Sequence, residues 1–327
     1  MGGHSKGLAA VALCIGLWSL AAAPDASAQG YPNRAIRMVV AFAPGGASDT
    51  NARIVSQKLS EQLAVPVVVD NRPGAGSMLG TEIVARAAPD GYTLLTASAE
   101  LSINPSLQPK IPYDALKDFA PISQTVSSQY ALSTHPSVPV KSVKEFIALA
   151  KARPGQLNYG SSGVGSANHL AGAMFQEMTG TKLVHIPFKG AGPATIALMG
   201  GEIDFMFSST TAVVAQVKLG RLRAIAVTGP KRFSEMPDIP TVSEAGLPGF
   251  VVTGWFGVVA PAGTPRDIIS KLGAEIVKVV RQPAVQERFA SFGTVPVGSS
   301  PEEFAAFLRA EIEKWSRVVK ASGARPD

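Results

Sequence analysis

The stretch Ile36-Arg37-Met38-Val39-Val40-Ala41-Phe42 runs directly into Ala43-Pro44-Gly45-Gly46-Ala47-Ser48-Asp49, and a helical pattern begins at about Thr50. A β-branched apolar run, a glycine turn and a helix start make up the repeating unit of a parallel sheet covered by helices. The same unit is suited to holding a small anion. Glycines bring bare N–H groups close to a ligand, and a helix N-terminus adds unpaired donors and partial positive charge. Ser48 or Asp49 is placed to cap the helix.

Beyond this unit, short β-branched runs alternate with longer helical patterns. Strands are expected at Ile36 to Phe42, Val65 to Val69, Tyr92 to Thr96, Ile122 to Val126, Tyr130 to Ser133, Leu157 to Tyr159, Lys182 to His185, Ile203 to Phe207, Leu222 to Val227 and Val251 to Val259. Helices are expected at Asp49 to Leu63, Met78 to Ala87, Val143 to Lys151, Asn168 to Thr179, Pro193 to Met199, Thr211 to Leu219, Pro265 to Val280, Pro283 to Phe289 and Pro301 to Lys320. The prolines that open four of these helices fall where a first turn accepts a residue lacking an N–H. Alternation of this kind predicts an α/β fold with mostly parallel sheets. The stretches from Pro105 to Pro121 and from Pro237 to Pro248 read as loops.

Two runs read as extended crossings between domains, Phe119 to Ser133 and Phe250 to Pro261. They place the middle of the chain in a second lobe and both termini in the first, which is the layout of a hinged two-lobed binder. The expected boundaries are 29–128 with 254–327 for lobe 1, and 129–253 for lobe 2. Residues 1–28 read as a cleavable secretory signal, because Leu8 to Ala23 is almost wholly apolar and Ala26-Ser27-Ala28 is a small-residue exit. Removing 28 residues from 327 leaves 299, a comfortable length for two domains.

The single cysteine, Cys14, lies within the signal, so the mature chain is expected to contain no disulfide, thiolate metal site or cysteine nucleophile. The net charge is +6, and loss of Lys6 and Asp25 leaves it at +6. There is no block of lysine and arginine and no interleaved aromatic pattern, so nucleic acid is not the expected partner.

Further turns repeat the opening theme. Gly160-Ser161-Ser162-Gly163-Val164-Gly165-Ser166 follows one strand and leads into a helix with Ser166 as N-cap. Lys189-Gly190-Ala191-Gly192-Pro193, Ser208 to Thr211, and Ser98 to Asn104 follow others. In a parallel sheet such loops emerge at the C-terminal ends of the strands and face one crevice, where hydroxyls, amides and helix dipoles suit a carboxylate or another small oxyanion.

Competing readings fit less well. Gly74-Ala75-Gly76-Ser77-Met78-Leu79 lacks the third dinucleotide glycine, and no phosphate-binding Gly-Lys-Ser/Thr loop occurs. Around Ser162 the last glycine of a hydrolase elbow is replaced by Val164, which leaves as a rival a periplasmic serine hydrolase using Ser161, Ser162 or Ser166 with His169. His135, His169 and His185 have no metal spacing; His169 reads as a ligand contact or as a hydrogen-bonded packing residue, and His185 reads as structural. Asp49 reads as a cap or as the orienter of a ligand or ordered water. Trp255 and Phe256 read as hinge core or as one wall of the cleft.

The motifs, taken in order, resemble the Bug family, the TctC-type solute-binding receptors of tripartite tricarboxylate transporters. The resemblance rests on Ala43-Pro44-Gly45-Gly46 with Asp49 and Ala52-Arg53, Asp70-Asn71-Arg72-Pro73-Gly74-Ala75-Gly76, Pro89-Asp90-Gly91-Tyr92-Thr93-Leu94, Asn104-Pro105-Ser106-Leu107, Gly165-Ser166 with His169-Leu170-Ala171-Gly172, Lys189-Gly190 with Pro193-Ala194, and Ala260-Pro261-Ala262-Gly263-Thr264-Pro265. It covers nearly the whole mature chain.

The resemblance implies a type II periplasmic binding protein, two lobes joined by two crossing strands that close like a Venus flytrap on a small carboxylate or amino acid. It implies no catalysis and no cofactor. The ligand-binding residues it implies are Phe42, Ala43, Gly45, Gly46 and Asp49 from one lobe, and Ser161, Gly165, Ser166, His169, Lys189, Gly190 and Pro193 from the other. Ser98 and Asp204 are further candidates. Where the family usually carries an aromatic hydroxyl before the Lys-Gly pair, this chain has Phe188. The expected protein is an exported monomeric receptor that delivers its solute to membrane transporter subunits; the alternative is a solute sensor or adaptor.

Overall fold

In the computed structural model, residues 30–188 and 190–325 are described; the expected signal segment with Cys14, and Lys189, lie outside them. The opening unit forms as read. Strand β1 (Ile36–Val40) leads through the glycine turn into helix α1 (Ala47–Leu63). Every residue of β1 but Arg37 is buried, as a central strand covered on both faces requires.

β1 pairs in parallel with β2 (Val67–Asn71) on one side and β3 (Thr93–Ser98) on the other. A short 3₁₀ turn (Ala75–Ser77) and helix α2 (Met78–Ala85) connect β2 to β3. Helix α3 (Glu100–Leu107) then occupies a stretch expected to be loop. Pro105 inside it reads as a breaker, yet Leu101 and Ile103 are buried, and packing outweighs the hydrogen bond the proline cannot make.

The two strand pieces expected at Ile122 to Val126 and Tyr130 to Ser133 are one 16-residue strand, β4 (Phe119–Thr134), with register shifts near Ser123 and Val126. β4 carries both halves of the sheet. Over Phe119 to Gln129 it pairs antiparallel with β9 (Thr253–Pro261), which also pairs antiparallel with β3. Over Tyr130 to Thr134 it pairs antiparallel with β7 (Phe205–Ser209), and over Ala131 to Thr134 with β8 (Arg223–Val227). Next to β7 lie β5 (Asn158–Ser161) and β6 (Val184–Pro187), in parallel. A two-residue strand, β10 (Val295–Pro296), closes against β4. Each half is therefore a small parallel core bounded by antiparallel crossing strands, which makes the sheet mixed where the sequence predicted it mostly parallel.

Helices α4 (Val143–Ala152), α5 (Ala167–Thr179), α6 (Ala191–Met199) and α7 (Thr210–Lys218) cover the second half, and α8 (Arg266–Arg281), α9 (Pro283–Ser291) and α10 (Pro301–Ser322) follow β9. α10 starts with a reciprocal capping box between Ser300 and Glu303 and packs against both α3 and α5. With that helix and β4 shared between the halves, Arg34–Asp327 forms one compact unit. Trp255 is core, edge-on to Phe304 and Phe307 at 5.6 Å each. Among the described residues no helix is long and apolar enough to cross a membrane.

Candidate functional site: three glycine turns at strand ends

Gly45 adopts φ +85°, a left-handed conformation open to glycine at little cost, and lets the chain turn between β1 and α1. The N-cap of α1 is Gly46, and no side chain caps it. This corrects the expected cap at Ser48 or Asp49: both lie within the first turn, and the Ser48 hydroxyl is buried without a partner. Asp49 instead reaches backwards. Its carboxylate accepts the Gly45 amide at 2.8 Å, the Arg53 guanidinium at 2.9 Å and the Asn71 amide at 3.0 Å. Burial raises the Asp49 carboxyl, but the bonds from Arg53, Gly45 and Asn71 outweigh it and leave its pKa below the ordinary value. Asn71 also donates to the Phe42 carbonyl at 3.0 Å and so ties β2 to the turn. Ala43, Gly45 and Gly46 are exposed and Phe42 is half-buried, so the turn offers its backbone outward.

A cavity of about 240 Å³ opens beside this turn, lined among others by Gly45, Asn51, Ile54, Phe256 and Phe292. Phe256, read as hinge core or cleft wall, is half-buried and forms part of this cavity's wall, because its strand neighbour Trp255 takes the opposite face.

The second turn follows β5. Gly163 at φ +133° and Gly165 at φ +76° shape it, and Ser166 caps α5 as expected. Asn168 collects the turn on one oxygen, which accepts from Ser162 N at 3.2 Å, Ser162 Oγ at 3.1 Å and His169 N at 3.1 Å, with Ser166 Oγ at 2.6 Å. Ser161 is buried; its Oγ accepts the Gly163 amide at 3.1 Å and lies 2.6 Å from His185 Nε2. The Gly165 amide donates to His169 Nδ1 at 3.0 Å. Sequence reasoning missed Asn71 and Asn168 as organisers, whereas His185 has the structural role read for it, against Ser161 and the His169 ring. Asn71 and Asn168 flank quoted motifs, but nothing local shows which turn an amide will hold.

The third turn places Gly190 at φ +112° as the N-cap of α6, with Pro193 exposed in its first turn. The Phe188 amide donates to the Ser161 carbonyl at 3.0 Å, so the second and third turns adjoin. Ser98 ends β3 and donates to Glu100 at 2.6 Å.

Asp204 is not brought to this edge. It precedes β7 and accepts the amide of Asn158, the first residue of β5, at 2.7 Å, which places it at the N-terminal ends of the parallel strands. Candidate residues on the C-terminal ends of those same strands share an edge; Asp204 pins the other.

The chemistry of the edge is that of donors. Backbone amides, hydroxyls and helix N-termini stand at the ends of β1 and of β5, and among the described residues no three His, Cys, Asp or Glu side chains are grouped to hold an ion. The hydrolase arrangement is not formed. His169 Nδ1 is occupied by Gly165 N–H, and the serine contact at 2.6 Å is made by Ser161 with His185.

The family model described as "Tripartite tricarboxylate transporter family receptor" matches residues 51–324. The chain belongs to that receptor family. This receptor is 40% identical over 320 residues to Protein BugT of Bordetella pertussis (strain Tohama I), with 97% of the present chain and 98% of BugT covered. Among solved structures it is similar to an R. palustris protein solved with adipate, at 32% identity and TM-score 0.75, covering 91% of this receptor and 100% of that chain. It is also similar to MatC from Rhodopseudomonas palustris with bound malate, at 33% identity and TM-score 0.72, covering 88% and 100%. The receptor therefore has the α/β fold of solute-binding proteins, and its family is one of receptors rather than enzymes.

Proposed function

We propose that the receptor captures a small organic carboxylate between the turn at Phe42 to Asp49 and the turns at Ser161 to His169 and Lys189 to Pro193, and delivers it to the membrane subunits of a tripartite transporter. One observation carries this reading: Asp49 and His169 hold the Gly45 and Gly165 amides from behind and so fix two turns, the first exposed and the second half-buried, at the C-terminal ends of parallel strands, where their remaining amides and hydroxyls suit an oxyanion. The adipate and malate held by two relatives have the same donor-seeking chemistry.

In this reading the lobes are 29–128 with 254–327, and 129–253. They flex where β4 and β9 cross, and residues 1–28 are removed on export. The lobes close because a solute touching both favours the closed state. Ser98 lines the first lobe's side of the cleft, and the receptor works as a monomer.

The test is thermal unfolding of the mature protein against a panel of organic acids including adipate and malate. Binding at a hundred times Kd adds about 2.7 kcal/mol and raises Tm. A folded sample that no carboxylate in the panel stabilises would overturn the reading. Mass spectrometry of the co-purified solute then names the acid.

A further inference from the structure

The imidazole rings of His169 on α5 and His185 on β6 stack with centroids 3.8 Å apart and planes 12° from parallel. Tyr159 on β5 completes the layer, 4.9 Å from His185 and 6.4 Å from His169. Each histidine holds one point of the second glycine turn. His169 Nδ1 receives the Gly165 amide at 3.0 Å, and His185 Nε2 lies 2.6 Å from Ser161 Oγ. An N–H can donate only to an unprotonated ring nitrogen, so His169 carries its single proton on Nε2.

We propose that His185 is a positioning residue for the second glycine turn: it props the His169 ring that holds Gly165, and protonation of His169 in acid releases that turn.

The surroundings favour neutral rings. Burial pushes His169 down to about 4, and burial with the nearby His169 pushes His185 down to about 4. Burial raises the Tyr159 phenol, so it too stays neutral. From the other elements packed on α5, Phe205 of β7 is apolar, and Glu311 of α10 is engaged by Lys314 and by Trp315 Nε1 at 3.0 Å. A proton on Nδ1 turns the acceptor of Gly165 into a donor facing a donor. The Gly165 turn then loses its brace while α5 keeps its cap at Ser166.

The consequence for solute binding rests on the proposed carboxylate site, whereas the brace itself is tested on the ligand-free receptor. Ring nitrogen NMR and amide exchange of wild type, H185A and H169N separate the two. The wild type is expected to show His169 protonated at Nε2 at pH 7, and a Gly165 protection factor that falls at least tenfold between pH 6 and pH 4.

H185A is expected to lose at least tenfold of that protection at pH 7. H169N, whose amide oxygen accepts in place of Nδ1 and does not titrate, is expected to keep it at both pH values. A proton on Nδ1 in the wild type, or full Gly165 protection in H185A, overturns the proposal. Should H185A fail to fold, H185F, which keeps a ring against His169 but has no nitrogen for Ser161 Oγ, is expected to keep the Gly165 protection, and its loss there overturns the proposal. Malate and adipate titrations on the same samples report separately: an intact brace with neither acid bound counts against the proposed function alone.

Discussion

The carboxylate of Asp49 accepts the backbone amide of Gly45, four residues earlier, at 2.8 Å. A helix residue thereby shapes the loop that precedes its own helix, and the same carboxylate joins Arg53 of α1 and Asn71 of β2. With 3% of its surface exposed, Asp49 has little access to water that could replace those partners. Asp49→Asn keeps the volume and removes the charge. Hydrogen bonds to charged groups contribute about 1.5–3 kcal/mol, so denaturant unfolding should show a loss of that order. Solute affinity should fall with it if the turn is one jaw of the clamp, and unchanged affinity would remove Asp49 from the site.

Gly165 sits at φ +76°, and a Cβ there would collide with the Leu107 side chain at the end of α3. The turn of the second half thus packs against a helix of the first. Leu107 can swing aside, but the backbone conformation still strains any L-residue, at about 1–3 kcal/mol. Gly165→Ala should weaken solute binding roughly tenfold, read by calorimetry with an acid chosen from the panel.

Gly257 lies on the crossing strand β9, where a Cβ would run into the Phe304 ring and stand 2.9 Å from the Ser123 carbonyl. The backbone carbonyl belongs to the β4 ladder and cannot yield as a side-chain tip does. Overpacking of this kind costs about 1–3 kcal/mol. Gly257→Ala should lower Tm by several degrees, with no dependence on added solute, and a wild-type Tm would contradict the packing described.

The stacked histidines also make stability pH-dependent. Their folded-state pKa values near 4 lie below the unfolded value of about 6.5, so the unfolded chain binds more protons in between. The stabilisation tied to the neutral rings is complete above pH 6.5 and is lost as pH falls towards 4, with a slope of up to about 1.4 kcal/mol per pH unit for each proton taken up. Urea midpoints from pH 7.5 to 4 check it. A flat profile over that window would be incompatible with two stacked neutral rings.

What was readable locally was read well. The β-branched runs, the proline-opened helices, the Ser166 cap and the glycine turns all follow from interactions within a few residues. Where a remote partner outweighs a local signal, the reading failed. Pro105 argued against α3, which persists because Leu101 and Ile103 are buried. The run Phe119 to Ser133 read as one extended crossing with two strand-like pieces, and pairing with β9 on one stretch and with β7 and β8 on the other joins the pieces as β4. Asp204 looked like a site carboxylate, but its amide partner Asn158 puts it at the far edge of the sheet. Asn71 and Asn168 resemble ordinary turn residues until the chains they tie together are seen.

By itself, the amino-acid sequence determined that this protein alternates strands with helices and carries glycine turns able to present bare amides after several strands, because those features rest on backbone conformation and short-range periodicity. The tertiary structure decided that β4 would carry both halves of the sheet, that Asp49 would brace its own loop with help from Asn71, and that His185 would meet His169 and Ser161. Those outcomes depend on contacts between segments far apart in sequence, where burial and the satisfaction of polar groups select among partners that no local pattern distinguishes.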